Sequence, residues 1–357
     1  MRYITTSNLQ PGYKLAQTLS TSNRTVLLRR GKTLTRTLIK KVDSLGYQGL
    51  YIDDDISEGL VIADVISSDL RAKTKNELQL LFVNVGNNVT TNVRKHIKTL
   101  KTLARDIVDE ILRNRNTMVN LVDLRTFDDY TYSHSLNVTV LSIILGIAMG
   151  LNRDTIYELA IGALIHDVGK MFVAKDVLNK PGKLTPEEFV EIKKHSTLGY
   201  EYLSGNPEIP ENSKAAALYH HERFDGSGYP AGFTGDSIPL FGRIISVADV
   251  YDALTSDRPY RKALLPSDAI EYIMGGYGTM FDPDVVNALT KKVAPYPVGT
   301  CVRLSTGDAG IVVKNFEETS LRPMVKLVAD SKSTGKVVDL CHDRSCLNIT
   351  VKEIINL

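Results

Sequence analysis

The sequence predicts a multidomain α+β protein, with a central all-α domain flanked by small β-rich N- and C-terminal domains. Three observations carry that expectation. Over residues 121–292 apolar residues recur at helical spacing between short Pro/Gly loops such as Lys180-Pro181-Gly182-Lys183. Beyond Pro295, β-prone runs alternate with Gly and Asp. Before about residue 65, short apolar runs are likewise broken by turn formers.

The elements follow in order. Residues 1–65 read as a small α+β domain: Pro11-Gly12, Val26-Leu27-Leu28, Gly31 and Gly49-Leu50-Tyr51-Ile52 mark short strands and turns, with one helix near Leu34 to Leu45. Residues 66–120 read as a helical connector. Leu100, Leu103, Ile107 and Ile111 recur every three or four residues and form an apolar stripe. That stripe needs a partner, either the next domain or a second copy of the chain in a homodimer. Within 121–292, Thr185 reads as a helix cap, with Pro186 in the first turn and Glu188 three residues on. Asp282-Pro283-Asp284 opens another helix in the same way. Residues 293–357 form a small β-rich domain, read as an antiparallel barrel or sandwich from Val302-Arg303-Leu304, Gly310-Ile311-Val312-Val313 and Val325-Lys326-Leu327-Val328.

Bulk properties exclude some functions. The 357 residues are 43% hydrophobic and 24% charged, ordinary for a globular protein, and the net charge is only +2. There is no global electrostatic case for DNA or an anionic membrane, although a local basic patch around an anionic substrate is allowed. No apolar signal core begins the chain, and the run Val138 to Leu151 is too short to span a bilayer, so no membrane span is expected. Cys301, Cys341 and Cys346 form no paired framework, which suits a reducing cytoplasm. Cys341-His342-Asp343-Arg344-Ser345-Cys346 lacks a fourth zinc ligand and reads as ordinary packing.

The chemistry is concentrated between residues 134 and 261. Five of the seven histidines (His134, His166, His195, His220 and His221) fall between 134 and 221, with Asp167 directly after His166 and Asp249 downstream. Five imidazoles and two carboxylates exceed one tetrahedral zinc site. They suit two divalent metal ions, iron or manganese, with Asp167 as the bridge. Such a pair activates a shared hydroxide and clamps an in-line phosphoryl displacement, so the expected reaction is phosphoester hydrolysis. Residues Glu158 to Lys170 read as one helix, which turns Lys170 toward the same cavity as His166 and Asp167, to stabilise charge or protonate the leaving oxygen. Arg258 and Arg261 suit phosphate oxygens. Gly226, Gly228 and Pro230 shape the loop that presents Tyr229, and Arg223 adds charge at the rim.

These residues resemble the HD-GYP subgroup of the HD phosphohydrolase superfamily, over roughly residues 121–292. The resemblance rests on Tyr130-Thr131-Tyr132-Ser133-His134-Ser135, His166-Asp167-Val168-Gly169-Lys170, His195, His220 through Pro230, Asp249, and Asp257-Arg258-Pro259-Tyr260-Arg261. It implies an HD-type helical domain that hydrolyses cyclic di-GMP to the linear dinucleotide pGpG, and onward to GMP. It also implies metal ligands at His134, His166, Asp167, His195, His220, His221 and Asp249, catalytic roles for Asp167 and Lys170, and substrate contacts from Tyr229, Arg258 and Arg261. Some members carry a glutamate four residues before the first histidine and recruit a third metal; here Tyr130 stands there, so a binuclear site is expected. Two other readings stay open: a phosphodiesterase for another cyclic dinucleotide such as cyclic GMP-AMP, and a non-catalytic cyclic-dinucleotide receptor or scaffold.

Overall fold

Short strands open the chain because turn formers interrupt its apolar runs. In this computed structural model, which describes residues 1–20, 26–47, 49–62, 64–87, 89, 92–113, 130–180, 182–256, 263–329 and 332–357, they are β1 (Arg2–Thr5), β2 (Lys14–Leu15), β3 (Leu19–Ser20), β4 (Val26–Leu28) and β5 (Gly49–Asp53). Between the last two lies helix α1 (Arg36–Ser44), whose Thr35 side chain caps the N–H of Leu38. The strands pair antiparallel as β1-β5-β2 and β3-β4.

The connector is two helices, α2 (Ser68–Gly86) and α3 (Val93–Arg113). The apolar stripe of α3 is covered within the chain, by α2 and by α5 (Arg153–Ile165). Leu100, Leu103, Ile107 and Ile111 are all buried, so this stripe is not a free homodimer seam. The helical region continues through α4 (Tyr130–Ala148), α6 (Lys175–Leu178), α7 (Pro186–Ser204), α8 (Glu211–Tyr219), α9 (Leu240–Thr255), α10 (Pro266–Gly275) and α11 (Pro283–Lys292). α7 begins with the expected capping box: Thr185 accepts from the N–H of Glu188, and the Glu188 carboxylate accepts from that of Thr185. Asp282 caps α11 by accepting from the N–H of Asp284 at 2.7 Å. Among the described residues, one helix is long and apolar enough to cross a membrane; 78% of that window, Thr131–Ala148, is buried inside the fold.

Strands β6 (Cys301–Leu304), β7 (Ala309–Lys314), β8 (Met324–Ala329), β9 (Lys332–Asp339) and β10 (Val351–Ile354) build one antiparallel sheet, ordered β10-β6-β7-β8-β9. The expected barrel or sandwich is thus a single five-stranded sheet. The described residues within 1–64 and 291–357 make one unit, and those within 65–117 and 131–290 make another. The two ends of the chain, read from the sequence as separate domains, therefore share one unit. Ile56 packs with Cys301, Ile311 and Val328, and Arg2 reaches Asp54 at 2.9 Å and the Leu357 carbonyl at 2.7 Å.

Candidate metal centre

Five helices of the second unit bring the site together. His134, in the first turns of α4, points its Nε2 at Asp249 Oδ1 of α9 (3.1 Å) and Asp167 Oδ2 (3.7 Å). His166 occupies the C-cap of α5, with Nε2 3.4 Å from the same Asp167 oxygen. On the other side, His195 Nε2 of α7 lies 3.3 Å from His220 Nε2, at the C-cap of α8, and 3.1 Å from His221 Nε2. Asp167 Oδ1 faces this second set, 3.6 Å from His195 Nε2 and 3.9 Å from His220 Nε2. His134, His166 and Asp167 form one group of potential ligand atoms within 4.8 Å of one another; His195, His220 and His221 form another. One carboxylate stands between the two groups and turns a different oxygen to each.

The ring orientations suit metal ligation. The Nδ1–H groups of His166, His195 and His220 donate to the carbonyls of Ala163 (2.8 Å), Ile192 (2.7 Å) and Ala217 (3.0 Å). A proton fixed on Nδ1 leaves the Nε2 lone pair for a cation. Two atoms test the fit: His166 Nε2 and Asp167 Oδ1 are buried without a hydrogen-bond partner. Leaving such atoms unpaired is costly, and a cation bound by each removes that cost. The nitrogen-rich donor set with carboxylates fits divalent transition metals.

The electrostatics of the protein groups alone agree. Burial works against ionised Asp167, but Lys170, His166 and His195 overcome it and hold the carboxyl well below the usual range. Burial likewise opposes ionised Asp249, and the hydrogen bond and charge of His134 outweigh it. Burial pushes His220 and His195 down and takes His221, crowded by His195, to about 3, so these three rings are neutral and ready to ligate. His134 goes the other way: burial disfavours its charge, yet bonds to Asp249 and Asp252 lift it to about 9.

Lys170 is not on the α-helix that the sequence suggested. α5 stops at Ile165, and Val168–Phe172 is a 3-10 turn. Residues three apart eclipse in that geometry, so Lys170 still contacts Asp167 Oδ2. The tight turn passes directly under α7: a Cβ on Gly169 would lie 2.6 Å from the Gly199 nitrogen and 2.8 Å from the His195 carbonyl carbon. Only glycine lets the His166-Asp167 segment and the His195 helix approach so closely.

Tyr229 stacks on His221, with ring centroids 4.8 Å apart and planes at 26°. Burial, then the charges of Asp249 and Asp167, raise its phenol above the ordinary value, so the hydroxyl keeps its proton. Arg223 is exposed. Gly228 is forced by packing, since a Cβ there would sit 2.5 Å from the Glu222 Cα. Arg258 and Arg261 lie outside the described residues.

Sequence reasoning missed two buried acids. Asp252 accepts from His134 Nδ1 at 2.7 Å. Glu222 accepts from the N–H groups of Ala231 (2.7 Å) and Gly232 (3.1 Å), tying down the chain just past Tyr229-Pro230. Asp252 had a legible signal: it lies three residues after Asp249, on the same helix face. Glu222 had none, because its partners are backbone groups nine and ten residues away.

Residues 114–285 match the HD domain family. The cyclic di-GMP phosphodiesterase PA4108 of Pseudomonas aeruginosa is 41% identical over 245 residues, which is 66% of this chain and 59% of that protein. The cyclic di-GMP phosphodiesterase response regulator RpfG of Xanthomonas campestris pv. campestris is 35% identical over 244 residues, 68% of this chain and 63% of its own. The chain thus spans about three fifths of the length of these relatives. Among solved structures, Bd1817, an HDG"Y"P protein from Bdellovibrio bacteriovorus, shares the fold with a TM-score of 0.50 at 17% identity, over 80% of this chain and 97% of that one.

Proposed function

Residues 114–285 match the HD domain family, and from that match we propose that the chain is a metal-dependent phosphodiesterase that hydrolyses cyclic di-GMP to the linear dinucleotide pGpG. The observation that carries this reading is Asp167, whose two oxygens face two separate histidine groups. In this reading His134, His166, Asp167 and Asp249 hold one divalent metal, iron or manganese, and Asp167, His195, His220 and His221 hold the second. Bound there, the pair supplies Lewis-acid stabilisation of phosphoryl charge and a nucleophile active at neutral pH.

The chain's own residues supply the rest. Lys170, against Asp167, holds a proton beside the reacting phosphate and delivers it to the leaving oxygen. Tyr229 stays protonated and donates to a phosphate oxygen, its ring anchored on His221. Arg258 and Arg261 grip the phosphates, with Arg223 at the rim. The free cysteines and the buried α4 support a cytoplasmic setting.

Anaerobic turnover of cyclic di-GMP by Fe(II)- or Mn(II)-loaded protein tests the reading, with cyclic GMP-AMP assayed in parallel. Metal-dependent release of pGpG, abolished in Asp167→Ala, is the expected result. Preferential turnover of cyclic GMP-AMP would reassign the substrate. Binding without turnover in fully loaded protein would make the chain a receptor.

A further inference from the structure

His134 is oriented differently from the other candidate ligands. His166, His195 and His220 each direct Nδ1–H to a carbonyl of their own helix, three residues back. His134 donates instead to Asp252 Oδ2, on another helix. The other oxygen of Asp252 accepts from Asn137 Nδ2 at 3.1 Å, and Asn137 Oδ1 accepts from Arg71 Nη1 at 3.1 Å. Ser256 Oγ adds a bond to Asp252 Oδ2 at 3.4 Å. Three side chains of this series, His134, Asn137 and Asp252, are 2%, 2% and 4% exposed.

The chemistry gives the series one direction. Turning the Asn137 amide over would set its nitrogen against the guanidinium and its oxygen against the carboxylate, so the two ends fix it. A cation at one end polarises the amide and strengthens its bond to Asp252, which fixes that carboxylate in the orientation that accepts from His134 Nδ1. The far end is Arg71 on α2, ahead of the matched residues 114–285.

We propose that Arg71 is a positioning residue for the metal centre, acting through Asn137 and Asp252 on His134. The inference rests on the metal-centre reading above. It makes the connector helix α2 part of the machinery and ties it most directly to one of the two metals, the one that His134 would hold. The group of His195, His220 and His221 reaches this series one step further on, through Asp167, whose Oδ2 faces His134 and whose Oδ1 faces His195 and His220.

Titration of metal-free protein with Co(II), followed by calorimetry and by the visible spectrum of the bound ion, tests this without substrate. Wild-type protein binds two equivalents. Asp252→Asn weakens one of them by about 10- to 100-fold, as loss of a ligand's outer hydrogen-bond partner does. Arg71→Ala, a half-exposed change, weakens the same equivalent by about 2- to 30-fold. The second equivalent weakens less than the first, the double variant is no weaker than Asp252→Asn alone, and Arg71→Lys recovers part of the loss. Wild-type titration by Arg71→Ala, equal weakening of both equivalents, or additive losses would each overturn the proposal. Failure of the wild type to bind two ions would instead overturn the metal-centre reading.

Discussion

Replacing Gly169 by alanine presses on the closest approach in the site. The added methyl would overlap the His195 carbonyl oxygen and stand 2.6 Å from the Gly199 nitrogen, whereas ordinary contact begins at 3.4 Å, so the 3-10 turn and α7 must separate by more than about 0.8 Å. Both neighbours are backbone, and no flexible side chain can absorb the shift. Metal sites tolerate ligand displacements of only about 0.2 Å, and the atoms pushed apart carry Asp167 on one side and His195 on the other. The expected loss of metal affinity exceeds the roughly 10- to 100-fold that follows removal of an outer hydrogen-bond partner. Overpacking adds about 1–3 kcal/mol of destabilisation, which for a unit of this size lowers Tm by about 2–12 °C at roughly 2–4 °C per kcal/mol. Calorimetric titration with Mn(II) and a thermal melt read both effects. Gly275→Ala is the control, because a Cβ there meets nothing within 4 Å. A Gly169→Ala protein that binds two ions with wild-type affinity and melts normally would refute the packing argument.

Asp167→Asn keeps the size of the bridge but removes its charge and puts an amide N–H₂ toward one histidine group; metal stoichiometry by elemental analysis should fall from two ions to one or none, and retention of both would remove Asp167 from the bridging role. Proton release on metal loading follows from His134: its imidazole keeps a proton up to about pH 9 in metal-free protein, so at pH 7–8 a bound cation must expel it, and affinity measured in buffers of different ionisation enthalpy should rise with pH until about 9. In metal-free protein the same raised pKa stabilises the fold fully below its unfolded value near 6.5, and that contribution is lost as pH climbs through about 9; a stability–pH profile measured with chelator, flat across this window, would contradict it. Thr185→Ala removes the capping box of α7 and should cost about 1 kcal/mol by urea melting, with metal stoichiometry unchanged because the cap lies ten residues ahead of His195.

Local sequence signals carried far because helix caps, turns and periodic apolar faces act within three or four residues. Thr185-Pro186-Glu187-Glu188 predicted the start of α7, Asp282-Pro283 that of α11, and the crowding of His and Asp marked the chemistry. Where α5 ends was not legible, since the 3-10 turn from Val168 lies against the backbone of α7, a contact that no local pattern announces. Nor was the covering of the Leu100–Ile111 stripe: periodicity shows that an apolar face needs a partner and not which helix supplies it.

By itself, then, the sequence determined the helical centre, its β-rich flanks and the donor chemistry of the site, all properties of residue type and near-neighbour spacing. Tertiary structure alone decided which Asp167 oxygen meets which histidines, that Asp252 and Asn137 connect His134 to Arg71, and that the two ends of the chain share one unit. Those outcomes depend on how elements tens to hundreds of residues apart pack. Burial of apolar faces sets that packing, and it has no direction along the sequence.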